Sequence, residues 1–456
     1  MEQITLEQVL AAREARVLRQ QRLSKTFAAP VLSFALNIAG PVKDSPLIRR
    51  AFFCGRDRLE AALSAANVPI LASEQTLAPT GCEWQLAVRG DALALKRLCA
   101  SVEDAEPIGR LFDIDVLTET GEKLDRADIG LPERGCLVCG APGRGCASRR
   151  VHSVAELQAA TRARIEAHVR AEDPRTVSDL VTQALLDEVN TTPKPGLVDR
   201  ANTGSHRDMT VETFEKSAEA LRPYWTACLQ TGIETASLPA PQTFQRLRPL
   251  GMDAERDMYA ATGGVNTHKG AIFLLGILCG AIGRLWTPEA PFAPIPLLCK
   301  ESAEMTESIL RDDFSRMQSA PAATAGEKLY RACGLLGARG EAMNGFLSVQ
   351  SAALPLYRKA LDAGLSSNDA AAIALLGLIA RGADTNMAAR GGIARARQAA
   401  KDAETLLSVA PFPAMAQIAA LDSAFIRQNL SPGGCADLLA VTLFLHQLDG
   451  RRKRLS

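Results

Sequence analysis

The order of apolar and polar positions changes character near residue 171. Before it, apolar runs are short and alternate with polar positions: VLSFALNIA (31–39), EWQLAVRG (83–90) and RLFDIDVLTETG (110–121). Such alternation is typical of half-buried strands, whereas segments 5–23 and 155–170 have helical spacing. The first part of the chain is therefore predicted to mix strands with helices.

Helical spacing dominates the rest of the chain. Steps of three and four positions predict one shared helix face for Val211, Phe214, Ala218, Leu221, Trp225 and Cys228. Segments 301–318, 368–381 and 434–448 have similar spacing. Because proline cannot continue a helix but suits its first turn, Pro174 is expected to separate two helices. We predict an α+β domain over residues 1–172, with a mixed sheet, and a larger all-α domain over residues 173–456.

Composition and charge narrow the possibilities further. The chain has 456 residues, 47% of them apolar, and a net charge of +1, which gives no field suited to nucleic acid or an acidic membrane. Eleven cysteines and a charged N-terminal segment without an apolar core favour reduced thiols in the cytoplasm. The uncharged apolar segment 270–283 is too short to span a bilayer and is expected to be a buried helix.

The first chemical candidate is the pair Asp113 and Asp115. Strand alternation places both carboxylates on one face, about 6.6 Å apart along the strand. Mg²⁺ prefers one or two carboxylates together with phosphate oxygens, and this arrangement makes the domain nucleotidyltransferase-like. The alternative is a half-exposed strand with solvated acids.

The second candidate is CLVCGAPGRGCASRRVH (136–152). Its Cys136, Cys139, Cys146 and His152 match the ligand number of a closed tetrahedral zinc site, which would be structural. Reduced structural cysteines beside a basic loop are the alternative.

The third candidate is EVNTTPKPGLVDRANTGSHRDM (188–209). Two prolines hold the backbone around Lys194 stiff and extended, so this lysine is expected to be presented from a solvent-facing turn. Gly196 permits close backbone approach. The stretch also supplies carboxylates and a titratable imidazole, listed here with their numbers: Glu188, Asp199, His206 and Asp208.

Three glycine-containing clusters follow in the helical part. In ATGGVNTHKG (261–270), Gly263 and Gly264 precede Asn266 and Thr267, which are predicted to cap a helix whose first turn holds His268 and Lys269. A helix start of this kind can bind phosphate, although a capped core helix is the alternative. The other two clusters contribute Asp384, Asn386 and Arg390, and then Asp437 in SPGGCADLLA (431–440). Together with the stretch 188–209, these three clusters predict one pocket for a polyphosphate and a sugar.

These motifs resemble those of a known pair of families. The stretches EVNTTPKPGLVD, GSHRDM, TGGVNTHKG, ARGEAMNG (338–345), DTN and SPGGCADLLA are similar to triphosphoribosyl-dephospho-coenzyme A synthases. AAREAR (11–16), NIAGPVKDS (37–45, with Lys43), RLFDIDV and CLVCG resemble apo-citrate lyase phosphoribosyl-dephospho-coenzyme A transferases. The whole chain resembles the bifunctional proteins that make and attach the prosthetic group of citrate lyase.

The resemblance implies two consecutive reactions. The helical domain would join ATP to dephospho-coenzyme A with release of adenine, and the first domain would transfer the phosphoribosyl cofactor to a serine of the citrate lyase acyl carrier subunit with release of pyrophosphate. Lys194, Lys269 and Arg390 would clamp the triphosphate, and one of Glu188, Asp199, Asp208 and Asp384 would act as base while others hold Mg²⁺. A second Mg²⁺ would lie on Asp113 and Asp115.

Two alternatives stay open from the sequence. One is the equivalent machinery of malonate decarboxylase, which the CLVCG and NIAGPVK stretches disfavour. The other is a zinc-stabilised first domain that docks the carrier without catalysing a reaction.

Overall fold

The computed structural model describes residues 4–141, 143–319, 325–382 and 384–455. These residues form two compact units, one up to Glu172 and the other over Asp173–Arg454. No helix among the described residues is long and apolar enough to cross a membrane.

The first unit is built on one five-stranded sheet of order β2-β3-β1-β4-β5. Its strands are β1 (Val31–Leu36), β2 (Ile70–Ala78), β3 (Gly81–Val88), β4 (Phe112–Leu117) and β5 (Lys123–Leu124). All four pairings are antiparallel, so the prediction of a mixed sheet is wrong. The predicted strands at 31–39, 83–90 and 110–121 are confirmed in shortened form, and β2 was not predicted.

Helices pack around this sheet. They are α1 (Leu6–Phe27), α2 (Pro46–Ala65), α3 (Ala92–Asp104) and α4 (Gly143–Ser148), with 3₁₀ turns at Pro107–Leu111 and Arg126–Ile129. The first three helices begin at Thr5, Ser45 and Asp91, whose side chains each accept a hydrogen bond from a backbone N–H of the first turn. The core includes the stacked Phe34 and Phe52, which pack between the sheet and α2.

The long helix α5 (Val154–Asn190) contains the division between the units, and Pro174 lies inside it. The expected helix break at Pro174 is therefore wrong. A proline removes one backbone hydrogen bond, but Val177 and Val181 just beyond it are fully buried. Packing of that face outweighs the loss.

The second unit is all helical after α5. Its helices are α6 (Val211–Ala220), α7 (Arg222–Glu234), α8 (Ala240–Thr262), α9 (Lys269–Leu285), α10 (Ile295–Ser319), α11 (Ala325–Cys333), α12 (Gly337–Met343), α13 (Leu354–Asp362), α14 (Ser367–Ala380), α15 (Thr385–Gly391), α16 (Ile393–Leu407), α17 (Met415–Arg427) and α18 (Gly433–Leu455), with a π-helical turn at Val349–Ala353. The apolar face predicted for one helix over 211–228 is divided between α6 and α7, because Pro223 starts a new helix directly after Leu221.

Helix α9 lies at the centre of this unit, and the prediction of a buried core helix at 270–283 is confirmed. Its backbone touches that of α7: a Cβ on Gly232 would lie 2.9 Å from Gly283 Cα and would collide with Gly280 O. Only glycines permit this approach. The contact fixes where the N-terminal end of α9 lies.

Candidate active sites

In the first unit, the two acids of β4 share one sheet face as predicted. Asp113 lies opposite Ala35 of β1, and Asp115 lies opposite Ser33. Lys123 Nζ is 2.7 Å from Asp115 Oδ1. Partial desolvation raises the pKa of the Asp113 carboxyl, and the Asp115 carboxylate raises it further, whereas Arg134, Lys123 and Arg16 lower it. Asp113 itself is exposed, so the two carboxylates are accessible to a ligand as well as electrostatically coupled.

Both acids line a cavity of about 970 Å³ whose wall carries cationic and acidic side chains in similar number. The charged groups on this wall, besides the acid pair, include Lys96, Glu103, Arg110, Lys123, Asp125, Arg126, Glu133, Arg134 and Arg150. This mixture suits a ligand with several phosphates bound together with a metal ion, since a guanidinium group can donate two parallel hydrogen bonds to one phosphate.

Two of these side chains complete the edge of β4 that faces away from β1, where the short strand β5 pairs only with Val116 and Leu117. Arg134 Nη2 donates to Phe112 O at 2.7 Å, and Glu103 Oε1 accepts the Ile114 N–H at 2.9 Å. The edge is thus closed by side chains, and the backbone that carries Asp113 is held in place.

The cysteine-rich segment lies on the wall of the same cavity. The ligand atoms of Cys136, Cys139, Cys146 and His152 all lie within 4.8 Å of one another, with Cys139 Sγ 3.5 Å from Cys146 Sγ and 3.2 Å from His152 Nε2. Tetrahedral zinc with bonds of about 2.3 Å to sulfur separates two sulfurs by roughly 3.8 Å. The four groups therefore have the composition and the spacing of a metal site.

Lys43 is placed differently from the acid pair. Its ammonium donates to Ile38 O on its own loop, and burial, with Arg13 nearby, lowers its pKa. It is not among the residues that line the cavity. The structure therefore gives Lys43 a contact within its own loop rather than a place beside Asp113.

In the second unit, Lys194 is buried rather than solvent-facing, so that expectation is wrong. Its side chain is 2% exposed, and its Nζ lies 2.6 Å from Glu188 Oε1. Burial raises the pKa of Glu188, and the Lys194 ammonium opposes that rise. The turn folds inward because this ion pair, which spacing alone does not reveal, anchors it to α5.

The carboxylates of the turn beyond Lys194 hold its backbone. Asp199 accepts N–H groups from Lys194, Ala201 and Asn202 at 2.7–3.0 Å. Asp422 of α17 accepts the Gly196 N–H at 2.8 Å. Gly196 has φ of 70°, and a Cβ there would collide with Leu430 O. Asp422 was not predicted from the sequence, because it stands alone in an ordinary helix.

His206 and Arg390 meet at one edge of this turn. His206 Nε2 is 2.8 Å from Ser431 Oγ, and Arg390 Nη1 is 3.5 Å from His206 Nδ1. Burial and then the Arg390 charge lower the pKa of His206. Arg390 also donates to Asn429 Oδ1 at 3.0 Å, while Asp208 is exposed.

Glu188, Asp384 and Asp437 form an acidic cluster, in which Glu188 and Asp384 are buried and Asp437 is half-buried. Asp384 caps α15 by accepting the Met387 N–H at 2.7 Å, and it also accepts the Cys435 N–H at 2.8 Å. Burial, followed by the charges of Glu188 and Asp384, raises the pKa of Asp437 far above its usual range. Three carboxylates thus stand within electrostatic reach of one another, and Lys194 is paired with one of them.

The start of α9 adjoins this cluster. Asp437 accepts the Ala271 N–H, and a Cβ on Gly270 would collide with the Asp437 carboxylate. Close packing at Gly433, where a Cβ would lie 2.7 Å from Asn386 Nδ2, joins α18 to α15. The clusters predicted at 188–209, 261–270, 381–392 and 431–440 therefore meet in one place.

The helix α9 is capped differently from the prediction. His268, not Asn266 or Thr267, occupies the N-cap position, and its side chain makes no capping bond. The His268 ring is buried, its Nδ1 is 2.7 Å from Ser217 Oγ, and its Nε2 has no partner among the described residues. Burial, with Lys194 nearby, lowers the pKa of His268 to about 3.

The neighbouring residues of this loop are more exposed. Lys269 lies on the surface with its Nζ 2.7 Å from Glu255 Oε2. Gly263 and Gly264 have φ of 67° and 92° and leave open space where a side chain would be. The buried part of the predicted phosphate site is therefore His268, with Lys269 outside it.

A second cavity, of about 450 Å³, adjoins α15. Its polar wall is formed by Glu341, Asn344, Ser348 and Arg381. Glu341 accepts the Ser348 hydroxyl at 2.5 Å, and a Cβ on Gly337 would lie 3.1 Å from the Thr385 side chain. The glycine-rich ARGEAMNG segment thus lines a space beside the start of α15.

Two family models match the chain, one for each part. Residues 4–168 match CitX, the apo-citrate lyase phosphoribosyl-dephospho-CoA transferase, and residues 174–455 match CitG, the ATP:dephospho-CoA triphosphoribosyl transferase. The Protein CitXG of Haemophilus influenzae is 37% identical over 98% of this chain and 97% of its own length. The chain belongs to both families.

Further relatives agree with this assignment. The Protein CitXG of Leuconostoc mesenteroides subsp. cremoris is 33% identical over 98% of both chains. A probable 2-(5''-triphosphoribosyl)-3'-dephosphocoenzyme-A synthase of Vibrio cholerae is 42% identical over 60% of this chain and 88% of its own length. The chain is therefore a fused CitX–CitG transferase, and the CitX match favours citrate lyase over the malonate decarboxylase alternative.

Proposed function

We propose that the acidic cluster is where the CitG-like unit joins ATP to dephospho-coenzyme A. The bond from ribose C1′ of ATP to adenine breaks, and a new bond forms between C1′ and a ribose hydroxyl of dephospho-coenzyme A. The hydroxyl proton replaces, on a carboxyl group, a proton that this group gives to the departing adenine, so adenine leaves as the neutral base. The observation that carries this proposal is a cluster of three carboxylates, with Glu188 and Asp384 buried and Asp437 half-buried, beside a single ammonium group.

The reaction chemistry explains this burial. Glycosyl transfer passes through an oxocarbenium-like centre, which carboxylates stabilise and which water would trap. Asp437 is the proton-transfer group that we favour, because its raised pKa suits a carboxyl that carries a proton to give to adenine and because both oxygens of Asp384 already accept backbone N–H groups. Asp199 has the same limitation, and Asp208 is exposed.

A magnesium ion fits the excess of carboxylate in this cluster. Glu188 would hold it together with phosphate oxygens, and the bound ion would supply charge neutralisation for the triphosphate. His268 lies beside the cluster, and Arg390 with His206 lines its edge. We propose that these groups, together with the glycine turns at Gly196, Gly263 and Gly264, bind the triphosphate and ribose of ATP.

For the CitX-like unit, we propose transfer of the phosphoribosyl cofactor to a serine of the citrate lyase acyl carrier subunit. The serine oxygen attacks phosphorus, the bond to pyrophosphate breaks, and the serine hydroxyl proton leaves with the pyrophosphate. Asp113 and Asp115 would hold Mg²⁺, which would neutralise the leaving pyrophosphate. Arg126, Arg134 and Lys123 on the cavity wall contribute further positive charge.

We further propose that Cys136, Cys139, Cys146 and His152 hold one structural zinc ion. The hydrogen bond from the Cys139 N–H lowers the pKa of Cys136 to about 7, which favours the thiolate that zinc requires. We also propose that the protein works in the cytoplasm, a location that the free thiols of its eleven cysteines support.

Mass spectrometry of the apo-carrier tests both steps at once. The carrier is incubated with the full chain, ATP, dephospho-coenzyme A and Mg²⁺, and we expect the carrier mass to rise by one phosphoribosyl-dephospho-coenzyme A group. Adenine and pyrophosphate are measured in parallel. Adenine release without any carrier labelling, even with pre-made intermediate, would instead support a first unit that only docks the carrier.

A further inference from the structure

A chain of three side chains ends at the buried imidazole beside the start of α9. Thr267 Oγ1 donates to Ser217 Oγ at 2.8 Å, and Ser217 Oγ lies 2.7 Å from His268 Nδ1. Ser217 and His268 are both buried, and Phe214 packs edge-on against the imidazole with ring centroids 5.1 Å apart. The ring therefore has one orientation.

The direction of these bonds determines where the imidazole proton lies. The Ser217 oxygen accepts a hydrogen bond from the Thr267 hydroxyl, so the Ser217 hydroxyl hydrogen points to another acceptor. His268 Nδ1 is the acceptor within reach. A neutral imidazole carries one proton, and a nitrogen that accepts a hydrogen bond does not carry it. Nε2 is then an N–H donor.

This donor has no partner in the described part of the chain, although it is completely buried. A buried donor without a partner costs about 1–3 kcal/mol, and such groups are rare in folded proteins. A ligand oxygen would remove that cost.

We propose that Thr267 and Ser217 hold His268 as its Nε2–H tautomer, and that this N–H donates to an oxygen of the triphosphoribosyl part of ATP. This inference rests on the proposed assignment of the acidic cluster to the ATP reaction. His268 then contacts substrate directly, whereas Ser217 is a positioning residue that acts through the ring. A neutral donor lets the ring stay beside Lys194 without adding a second positive charge.

The tautomer can be read directly by ¹⁵N NMR of the imidazoles in the full chain. The five histidines give few signals, and the signal that His268→Gln removes belongs to His268. We expect a bare Nδ1 and a protonated Nε2, and we expect the Nε2–H signal to shift when ATP and Mg²⁺ are added. A protonated Nδ1, or no shift at saturating ATP, would overturn the proposal.

Kinetics give a second and independent test. A glutamine at 268 extends an amide N–H toward the position of Nε2, whereas the shorter asparagine does not reach it. We expect His268→Asn to lower kcat for adenine release on the order of 10²-fold, the usual effect of losing one preorganised donor, and His268→Gln to recover most of that loss. Equal rates for the two variants would overturn the proposal.

Ser217→Ala tests the relay without altering the ring. We expect a mixture of His268 tautomers in the NMR spectrum and a drop in kcat of about 10-fold, since a positioning bond is lost and the donor is kept. An unchanged tautomer in Ser217→Ala would contradict the positioning role.

Carrier labelling from pre-made intermediate is the control for all three variants. It depends on the first unit and should stay at the wild-type rate. If the wild-type chain itself releases no adenine, the proposed function fails. If the wild type is active and the tautomer is reversed, only this inference fails.

Discussion

The two candidate sites of this chain differ in how much of their charge is already paired and buried. In the second unit, Glu188 and Lys194 neutralise each other in the interior, and Asp384 is held by two backbone N–H groups. In the first unit, Asp113 and Asp115 line a large cavity whose wall carries several arginines.

This difference matches the chemistry proposed for each site. An oxocarbenium-like centre must be shielded from water, so its stabilising carboxylates are buried and fixed before substrate arrives. Transfer to a serine on another protein needs an opening that the carrier can enter, so charge there is supplied around a solvent-filled cavity. The contrast predicts that substitutions in the second unit change both stability and activity, while those at the first site change activity alone.

The largest effect is expected from Asp113→Asn or Asp115→Asn. Loss of a carboxylate that we propose to hold Mg²⁺ would remove several kcal/mol of charge stabilisation, so carrier labelling from pre-made intermediate should fall on the order of 10³-fold. Adenine release should be unchanged, and triphosphoribosyl intermediate should accumulate.

Glu122→Gln is the matched control for these variants, because Glu122 is exposed and does not line the cavity. It should label the carrier normally. Near-normal labelling by both aspartate variants would instead show that the acid pair is only a solvated strand face.

Lys194→Met should destabilise the second unit by about 3–5 kcal/mol, because it leaves Glu188 buried without its partner. Adding Glu188→Gln should restore at least half of that loss. Urea unfolding followed by tryptophan fluorescence in a Trp84→Phe background measures this, since Trp225 and Trp286 then report the second unit alone.

The control here is Lys216→Met, at an exposed position of α6, which should change stability by less than about 0.5 kcal/mol. Equal stabilities of Lys194→Met and Lys216→Met would contradict a buried ion pair.

Cys139→Ser should lower the melting temperature of the first unit and leave the second unit unaffected, because the proposed zinc ion ties together only residues of the first unit. Metal analysis of protein purified without chelators should give about one equivalent of zinc. Cys333→Ser, which alters an exposed thiol outside the cluster, should keep the zinc and the melting temperature. If the protein folds and melts normally without zinc, the zinc proposal is wrong and these cysteines are reduced structural thiols.

The smallest effect is expected from acidification. The folded pKa of His268 is about 3, below its usual value of 6.5, so the unfolded chain binds a proton below pH 6.5 that the folded chain does not. The contribution of His268 to the free energy of unfolding is fully present above pH 6.5. It is lost as the pH falls toward 3, by at most about 1.4 kcal/mol per pH unit. His268→Gln should therefore lose less stability than wild type between pH 7 and 5.5. Identical slopes in urea unfolding would contradict this.

The sequence predicts local structure well where neighbours in the chain decide it. Alternation of apolar and polar residues predicted β1, β3 and β4. Strand β2 was missed because none of its residues is fully buried and its apolar residues do not alternate regularly with polar ones. Pro174 was misread because burial of Val177 and Val181 determines the course of α5, and that burial depends on distant helices.

The same limit applies to the sites. Four motifs were recognised, and the structure brings them together around the acidic cluster. The sequence did not show that Lys194 points inward to Glu188. It also did not show that Ser217 contacts His268 or that Asp422 accepts the Gly196 N–H, because these partners are far apart in the chain. Serine and aspartate in ordinary helices carry no local signal of such a role.

The glycine contact between α7 and α9 has a consequence for how this protein can vary. From Gly283 to His268 the helix spans 15 residues, or about 22 Å, so a side chain added at Gly232 or Gly283 would displace the far end of α9, which adjoins the acidic cluster. In a random-mutation screen these glycines would be scored as essential although they lie far from that cluster.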